Sequence, residues 1–218
     1  LGSFIETYSR LAEQANGIVS IHVPETLSST VGVARLAAHE IKTIPVEIVD
    51  AHTAATPEGF IVLAAARAAQ KGATLRQVVS IAEAYRERVG MYFTLETLEH
   101  LNRGGRIGQA AALLGSRLQI QPVLTLTGGQ VRITTVTRSR RQAKQHLLDE
   151  MARQVGERPI RASVLHADVA EEAELLAEEL QTRFRCLEFF FSEFTPVMGA
   201  HTGPGIIGVA YCLEDERA

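Results

Sequence analysis

A short segment near the carboxyl end of the chain combines residue types that can bind an anion. Residues 201–205 read His-Thr-Gly-Pro-Gly and lie between two apolar segments with the composition of β-strands. Glycine allows backbone conformations that a side chain forbids, and proline fixes one backbone angle, so the pattern predicts a tight, rigid turn. Backbone N–H groups in such a turn can converge on one anion. A turn without any binding role explains the same pattern.

A second candidate follows a predicted strand in the first half of the chain. Ser28, Ser29 and Thr30 come after the apolar segment 18–23 and begin a predicted helix. Ligands usually bind at the carboxyl edge of an open parallel sheet, and hydroxyls beside free N–H groups at a helix start suit an anion. Ordinary helix capping is the alternative. Asp50 ends the next predicted strand, and we expect it to face the same crevice as Ser28.

Two segments are rich in arginine. Arg138, Arg140 and Arg141 lie where a predicted strand passes into a helix, and residues 103–106 read Arg-Gly-Gly-Arg. The first cluster is either a solvated face or a contact for a phosphate or an acidic partner. The second segment lacks the lysine and hydroxyl residue that end a nucleotide-binding P-loop.

Catalytic and metal-binding patterns are weak. The histidines are scattered, with no HExxH spacing, and the sequence predicts neither a metal nor a cofactor. Ser28 and His201 could form a hydrolase pair, but the G-x-S-x-G elbow and an evident third member are missing. Cys186 and Cys212 stand alone in apolar segments, which indicates buried thiols.

Composition narrows the classes of protein that remain. The chain has 218 residues, 46% of them hydrophobic, and a formal net charge of −3. The charge argues against general binding of nucleic acid. No apolar segment approaches the roughly 20 residues of a membrane helix. The two isolated cysteines are compatible with a reducing compartment, and we expect a cytoplasmic protein. The chain begins with Leu1 rather than methionine, and we expect a segment to be missing before it.

The first part of the chain predicts the order α-β-α-β-α-α with parallel strands. Its apolar strands are short and continuous, and helices connect them. Three helix starts are predicted, at Ser3-x-x-Glu6, at Thr56-Pro57 and at Thr74-x-x-Gln77. Two strands are too few for a separate parallel sheet. Either another chain or residues before Leu1 complete it, and we expect the latter.

The second part predicts an α+β arrangement, with the boundary near Val89-Gly90. Segments 118–126 and 130–136 read as strands around Gly128-Gly129, which indicates a hairpin. An alanine-rich helix is predicted up to about residue 114. A later helix is expected to turn four apolar residues inward: Ala143, Leu147, Met151 and Val155. The predicted domains are therefore residues 1–89 and residues 90–218.

Six segments, in chain order, resemble motifs of the DegV family. They are Ile-His-Val-Pro-Glu-Thr-Leu-Ser-Ser-Thr at 21–30, Ile-Val-Asp-Ala at 48–51, the stretch 92–107 that ends Gly-Gly-Arg-Ile, Gln-Pro-Val-Leu at 121–124, Thr-Arg-Ser-Arg at 137–140, and the turn 201–205 with Gly208. Within the family, the sequence is similar to the fatty-acid-binding subunit of bacterial fatty acid kinase. It departs from the family where Ser29 replaces a glycine and where Pro24 and Glu25 replace a polar pair.

The resemblance implies a two-domain fold with a lipid tunnel in the second domain. It implies that Ser28, Ser29, His201 and Thr202 contact the carboxylate of a long-chain fatty acid at the domain junction. It further implies no catalytic machinery in this chain, because a separate ATP-dependent kinase subunit phosphorylates the bound acid. Arg138 and Arg140 would then contact the phosphate or the partner. A transient contact with a membrane surface is compatible with this role. The alternative is a serine-dependent lipid hydrolase or acyltransferase using Ser28 and His201.

Overall fold

The structure is a computed structural model, and it describes residues 1–115 and 120–215. The chain divides into two compact units, Leu1–Glu87 and Arg88–Ala218. Each unit has its own β-sheet.

The first unit is built on two parallel strands. Its elements are α1 (Gly2–Ala12), β1 (Ile18–His22), α2 (Thr30–Glu40), β2 (Val46–Asp50), α3 (Ala55–Gln70) and α4 (Leu75–Tyr85). The strands pair in parallel from Ile18 opposite Val46 to His22 opposite Asp50. This pairing confirms the predicted parallel α/β architecture, and it brings the loops after β1 and β2 to the same edge of the sheet.

The three predicted helix starts of the first unit have different outcomes. The α4 start is confirmed: the side chain of Gln77 accepts the Thr74 N–H at 2.9 Å, and the Thr74 hydroxyl accepts the Gln77 N–H at 3.4 Å. The α1 prediction is wrong, because Leu1 is the N-cap and Ser3 lies inside the helix. The α3 prediction is also wrong, because the helix begins at Ala55 and Thr56 already lies in its first turn.

The second unit contains a six-stranded mixed sheet. Its elements are β3 (Val89–Thr94), α5 (Glu99–Arg103), a 3₁₀ helix (Gly108–Leu113), β4 (Gln121–Thr127), β5 (Gln130–Thr137), α6 (Arg140–Val155), β6 (Ile160–His166), α7 (Ala170–Arg183), β7 (Cys186–Glu193), α8 (Pro196–Thr202) and β8 (Ile207–Leu213). The strand order is β5-β4-β3-β8-β6-β7. The β6–β7 pair is parallel and is connected by α7, whereas the other pairs are antiparallel.

The hairpin prediction in the second unit is confirmed. Thr127 pairs with Gln130, and the two residues between them, Gly128 and Gly129, have φ values of 58° and 73°. Positive φ at both central residues is the requirement of the tightest hairpin turn, and glycine meets it without strain. Residues 118 and 119, where the first strand was predicted to begin, lie outside the described residues.

Two other local predictions in the second unit need correction. Residues 108–113 form a 3₁₀ helix rather than an α-helix. The segment before the His-Thr-Gly-Pro-Gly motif was not predicted as helical, yet Pro196–Thr202 forms α8 with Pro196 at its first position. A proline at the start of a helix costs little, since its missing N–H is unused there.

Helices α6 and α7 cover one face of the mixed sheet. The four inward residues predicted for α6 are all buried. They pack in one cluster with Leu176 and Leu180 of α7 and with Val164 and Val209 of the sheet. The residues of β3, β4, β6 and β8 in this cluster face the helices. Their direct neighbours along each strand therefore face the other side of the sheet, because successive residues alternate between faces.

The opposite face of the same sheet is also apolar. Val209 points toward α6 and α7, so its neighbours Gly208 and Ala210 point to the other face. Directly opposite them on β3 lie Phe93 and Met91, which therefore share that face. Leu124 of β4 and, on β6, Leu165 and the buried Ser163 lie on the same face. The side chains of this second face are buried, and the central strand contributes only small residues to it.

Candidate functional site

The His-Thr-Gly-Pro-Gly segment joins α8 to β8. His201 and Thr202 are the last residues of α8, rather than part of the turn itself, and Gly203 is the C-cap with φ 75° and ψ 171°. Gly205 has φ 81°, and its N–H donates to the Ala167 carbonyl at 2.9 Å. The predicted tight turn is therefore present but begins two residues later, at Gly203.

The glycines of this turn are required by close contacts. A Cβ atom on Gly203 would lie 2.3 Å from Cδ2 of His100, and one on Gly205 would lie 2.5 Å from Cδ of Glu96. Atoms at such distances overlap, so a larger residue would displace the neighbouring side chains or the turn. The segment thus holds His100 and Glu96 against the backbone that leads into β8.

His201 is the residue of this segment best suited to bind an anion. Its ring is half-buried, and its Nδ1 atom is buried without a hydrogen-bond partner among the described residues. Gly104 lies against it, since a Cβ atom there would be 2.5 Å from Nδ1. A buried ring nitrogen without a partner costs free energy, which a ligand oxygen accepting its proton would recover.

Thr202 has a different environment from His201. The residue is buried, and its hydroxyl donates to the Met198 carbonyl at 3.0 Å within α8. In this conformation its proton is not free for a ligand carboxylate, so the main contribution of Thr202 is to stabilise the last turn of the helix.

The second predicted site lies at the start of α2. The Ser28 hydroxyl is 2.7 Å from the Thr30 hydroxyl and accepts the Thr30 N–H at 3.3 Å. Ser28 is half-buried, whereas Ser29 is exposed and occupies the N-cap position without a side-chain cap bond. Ser28 therefore points its hydroxyl toward the helix start, the position where N–H groups and the helix dipole favour an anion.

Asp50 connects the two loops that follow β1 and β2. Its Oδ2 accepts the N–H of Glu25 at 3.0 Å, and its Oδ1 accepts the N–H of His52 at 2.8 Å. The loop after β2 is strained, because His52 and Ala55 have φ values of 55° and 58°. The carboxylate thus fixes an irregular loop next to the segment that carries Ser28.

Glu58, in the first turn of α3, was not singled out by its sequence context. Burial raises the pKa of its carboxyl to about 7, and the charge of Asp50 contributes to the rise. A lone glutamate in the first turn of a helix is common on protein surfaces. Its burial here depends on tertiary packing, which the local sequence does not reveal.

The first unit contains a hydrogen-bonded chain that sequence analysis also missed. The Tyr8 hydroxyl donates to Ser20 Oγ at 2.7 Å, and Ser20 Oγ lies 2.7 Å from Nε2 of His22. Burial lowers the pKa of His22 and raises that of Tyr8. Ser20 lies within β1, so the chain of bonds serves to tie α1 to the sheet.

The arginine cluster adjoins a cavity of about 600 Å³ in the second unit. Arg138 and Arg140 line it, together with Gln121, Glu96 and Leu98. Arg138 is exposed. These contacts place both predicted arginines at one cavity that also has an apolar part.

Arg140, one of the two arginines at this cavity, is held by an ion pair. The Nε atom of Arg140 donates to Glu172 at 3.0 Å, and Lys144 donates to the same carboxylate at 2.8 Å. These bonds outweigh burial and lower the pKa of Glu172. The two terminal nitrogens of Arg140 are buried without an acceptor in the part of the chain that the structure describes.

Metal and thiol chemistry find little support. Among residues 1–115 and 120–215, no group of three or more potential ligands could hold a metal ion. Both cysteines are free, and burial raises the pKa of the Cys212 thiol to about 12. Within the same described ranges, no helix is long and apolar enough to cross a membrane.

The chain is an α/β protein with a parallel sheet in one unit and a mixed sheet in the other. Its candidate site residues are of types that can bind an anion. The sequence matches a family model described as "Uncharacterised protein, DegV family" over residues 1–214. The chain belongs to the DegV family.

Curated relatives and solved structures agree with this assignment. The chain is 41% identical over 208 residues to a DegV domain-containing protein of Streptomyces coelicolor, covering 94% of this chain and 74% of the relative. The protein DegV of Bacillus subtilis is 32% identical over 218 residues, covering 98% and 77%.

The crystal structure of Bacillus subtilis DegV, described as a fatty acid binding protein, matches with a TM-score of 0.89 and 29% identity, over 98% of this chain and 76% of the other. A Thermus thermophilus DegV family protein, described by its fatty acid binding, matches with a TM-score of 0.90 and 34% identity, over 97% and 76%.

Proposed function

We propose that this protein binds one long-chain fatty acid and presents its carboxylate to a separate kinase subunit. The observation that carries the proposal is the buried Nδ1 of His201, which has no hydrogen-bond partner among the described residues and, when it carries the ring proton, can donate to a carboxylate oxygen. The two similar solved structures described as fatty-acid-binding support the class of ligand.

The second face of the mixed sheet supports an acyl chain as the apolar part of the ligand. Gly208 and Ala210 form a strip of small residues, flanked by Phe93 and Met91 on one side and Leu165 on the other. Burying about 14 methylenes at ~0.8 kcal/mol each contributes about 11 kcal/mol. Association and ordering offset much of this gain, so the tail provides affinity and the polar residues provide orientation.

In the proposal, Ser28 and His201 are the main carboxylate contacts. A hydrogen bond to a charged group contributes about 1.5–3 kcal/mol, and a protonated imidazole also compensates the desolvated charge. Ser29, whose side chain is exposed, and Thr202, at the end of α8, remain predicted contacts.

The kinase part of the proposal concerns the arginine cluster. Arg138 is exposed beside the cavity, and Arg140 has buried N–H groups without an acceptor among the described residues. Guanidinium groups bind phosphate oxygens or carboxylates through paired hydrogen bonds. We assign Arg138 and Arg140 to the acyl phosphate or to an acidic surface of an ATP-dependent partner in the cytoplasm. Unchanged phosphorylation and unchanged partner affinity in Arg138→Ala would remove this assignment.

A comparison of two ligands tests the carboxylate contacts. Oleate and oleyl alcohol share a tail and differ in the head group, so loss of a carboxylate contact should weaken oleate alone. We expect Ser28→Ala and His201→Ala each to weaken oleate binding about tenfold or more and to change alcohol binding less than twofold. Ser9→Ala and His39→Ala, at exposed positions, are the matched controls.

The outcomes of this comparison are distinct. Equal weakening of both ligands would show that the two residues act on the fold or the tail instead. Hydrolysis of an oleoyl ester without any partner, lost in Ser28→Ala, would favour the hydrolase alternative over the proposal.

A further inference from the structure

We propose that Asp50 is a positioning residue for Ser28, and that Glu58, in the first turn of the helix that follows the loop held by Asp50, acts on Asp50. The inference rests on the proposed function, because it concerns the site that binds the ligand carboxylate. Neither residue is expected to touch the ligand.

The hydrogen bonds around Asp50 connect it to Ser28 in a few steps. The N–H groups of Leu27 and Ser28 both donate to the Pro24 carbonyl, at 2.9 and 3.0 Å, which closes a turn. The next residue of that turn, Glu25, donates its N–H to Asp50 at 3.0 Å. Asp50 therefore anchors the turn that sets the position of the Ser28 hydroxyl.

The other oxygen of Asp50 holds the strained loop after β2. It accepts the His52 N–H, and the Ala51 N–H donates to the His22 carbonyl at 2.9 Å. One carboxylate thus bridges the loops that follow both parallel strands. An asparagine at this position would have the same side-chain shape as Asp50 but only one acceptor oxygen. It could therefore accept the N–H of only one of the two loops.

The charged groups around this carboxylate come from several elements. Glu58 lies in the first turn of α3. Arg86, just after α4, donates to the Asp50 carbonyl at 2.8 Å and pairs with Glu83 at 3.6 Å. The Glu25 side chain pairs with Arg35 of α2.

Two histidines also neighbour Asp50: its Oδ1 accepts the His52 N–H, and His22 lies opposite it on β1. His52 is exposed, and the His22 ring of β1 is bonded to Ser20 and packs edge-on against Phe4. In the part of the chain that the structure describes, backbone N–H groups rather than a cation hold the Asp50 carboxylate.

Glu58 makes this arrangement sensitive to pH. Its pKa is raised to about 7 by burial and by the charge of Asp50, so it is largely neutral at pH 6 and largely ionised at pH 8. An ionised Glu58 repels the Asp50 carboxylate. Ionisation of Glu58 should therefore loosen the loop that Asp50 holds, and the affinity for a carboxylate should fall as pH rises through 7.

Oleate binding across pH 6–8.5 tests the inference in four proteins: the wild type, Asp50→Asn, Glu58→Gln and the control Glu47→Gln, an exposed position on β2. We expect the wild-type and control dissociation constants to rise by up to about tenfold over this range, as a pKa change of about one unit on binding implies. In Glu58→Gln this rise should be lost.

Asp50→Asn should bind oleate about tenfold more weakly at pH 6, and its remaining pH transition should move to lower pH. Wild-type affinity in Asp50→Asn, or the wild-type pH dependence in Glu58→Gln, would overturn the inference and leave the proposed function intact. If circular dichroism shows that Asp50→Asn is unfolded, Glu58→Gln alone decides. Wild-type protein that binds no oleate at any pH would overturn the proposed function and this inference together.

Discussion

Replacing Glu58 by glutamine should stabilise the protein above neutral pH. The ordinary glutamate pKa of 4.5 is raised to about 7 in the folded protein. Between these two pH values the folded state therefore binds more protons at Glu58 than the unfolded state does. The contribution of Glu58 to the free energy of unfolding falls as pH rises from 4.5 to 7 and is constant above that. At ~1.4 kcal/mol per pH unit this interval corresponds to about 3 kcal/mol, and the partial exposure of the side chain reduces it to about 1–2 kcal/mol.

Urea unfolding at pH 5 and pH 8 measures this effect. Far-UV circular dichroism is the suitable signal, because the chain has no tryptophan. The free energy of unfolding of Glu58→Gln should exceed that of the wild type by about 1–2 kcal/mol at pH 8 and by much less at pH 5. The control Glu47→Gln, on the exposed side of β2, should have the wild-type free energy of unfolding at both pH values. Identical pH dependence in Glu58→Gln and the wild type would refute the argument that this carboxyl is buried next to Asp50.

Further predictions concern the turn and the thiols. Gly203→Ala should lower the free energy of unfolding by about 3 kcal/mol, since it combines a strained φ with an overlap at His100, and urea unfolding would show it. Gly199→Ala, where a Cβ meets nothing within 4 Å, is the control, and equal stability of the two variants would contradict the account. Iodoacetamide at pH 8 should modify Cys186 before Cys212, because Cys212 is buried and its pKa is raised to about 12. Peptide mass spectrometry measures the order, and earlier modification of Cys212 would be inconsistent with its burial.

The sequence was most informative where structure is determined locally. The Thr74–Gln77 capping box and the Gly128-Gly129 hairpin each depend on a few adjacent residues, and both were predicted correctly. The parallel pairing of β1 and β2 followed from two apolar strands connected by a helix. In each case few other local structures are compatible with the same residues, so the pattern predicts one structure.

The sequence was less informative where several residues could begin a helix, and where tertiary packing determines the burial of a side chain. Ser3 and Thr56 are good capping residues, but each helix begins earlier and includes them. Helix α8 has only seven residues, too few for a clear periodicity, although Pro196 is a start signal. The burial of Glu58 and the two bonds of Asp50 arise from tertiary contacts, so spacing alone could not identify their roles.

The predicted contacts of the ligand have different support in the structure. Ser28 lies at a helix start and His201 has an unpaired buried nitrogen, as an anion site requires. The Thr202 hydroxyl donates within α8, and Ser29 makes no cap bond. The first two residues therefore carry most of the proposal, and the roles of the other two remain predictions.

Native mass spectrometry of the purified protein, followed by lipid extraction, tests the central claim most directly. We predict one fatty acid per chain, either co-purified or taken up on addition of oleate or palmitate, and no turnover without a partner. Protein that carries no lipid and takes up neither acid would contradict the account.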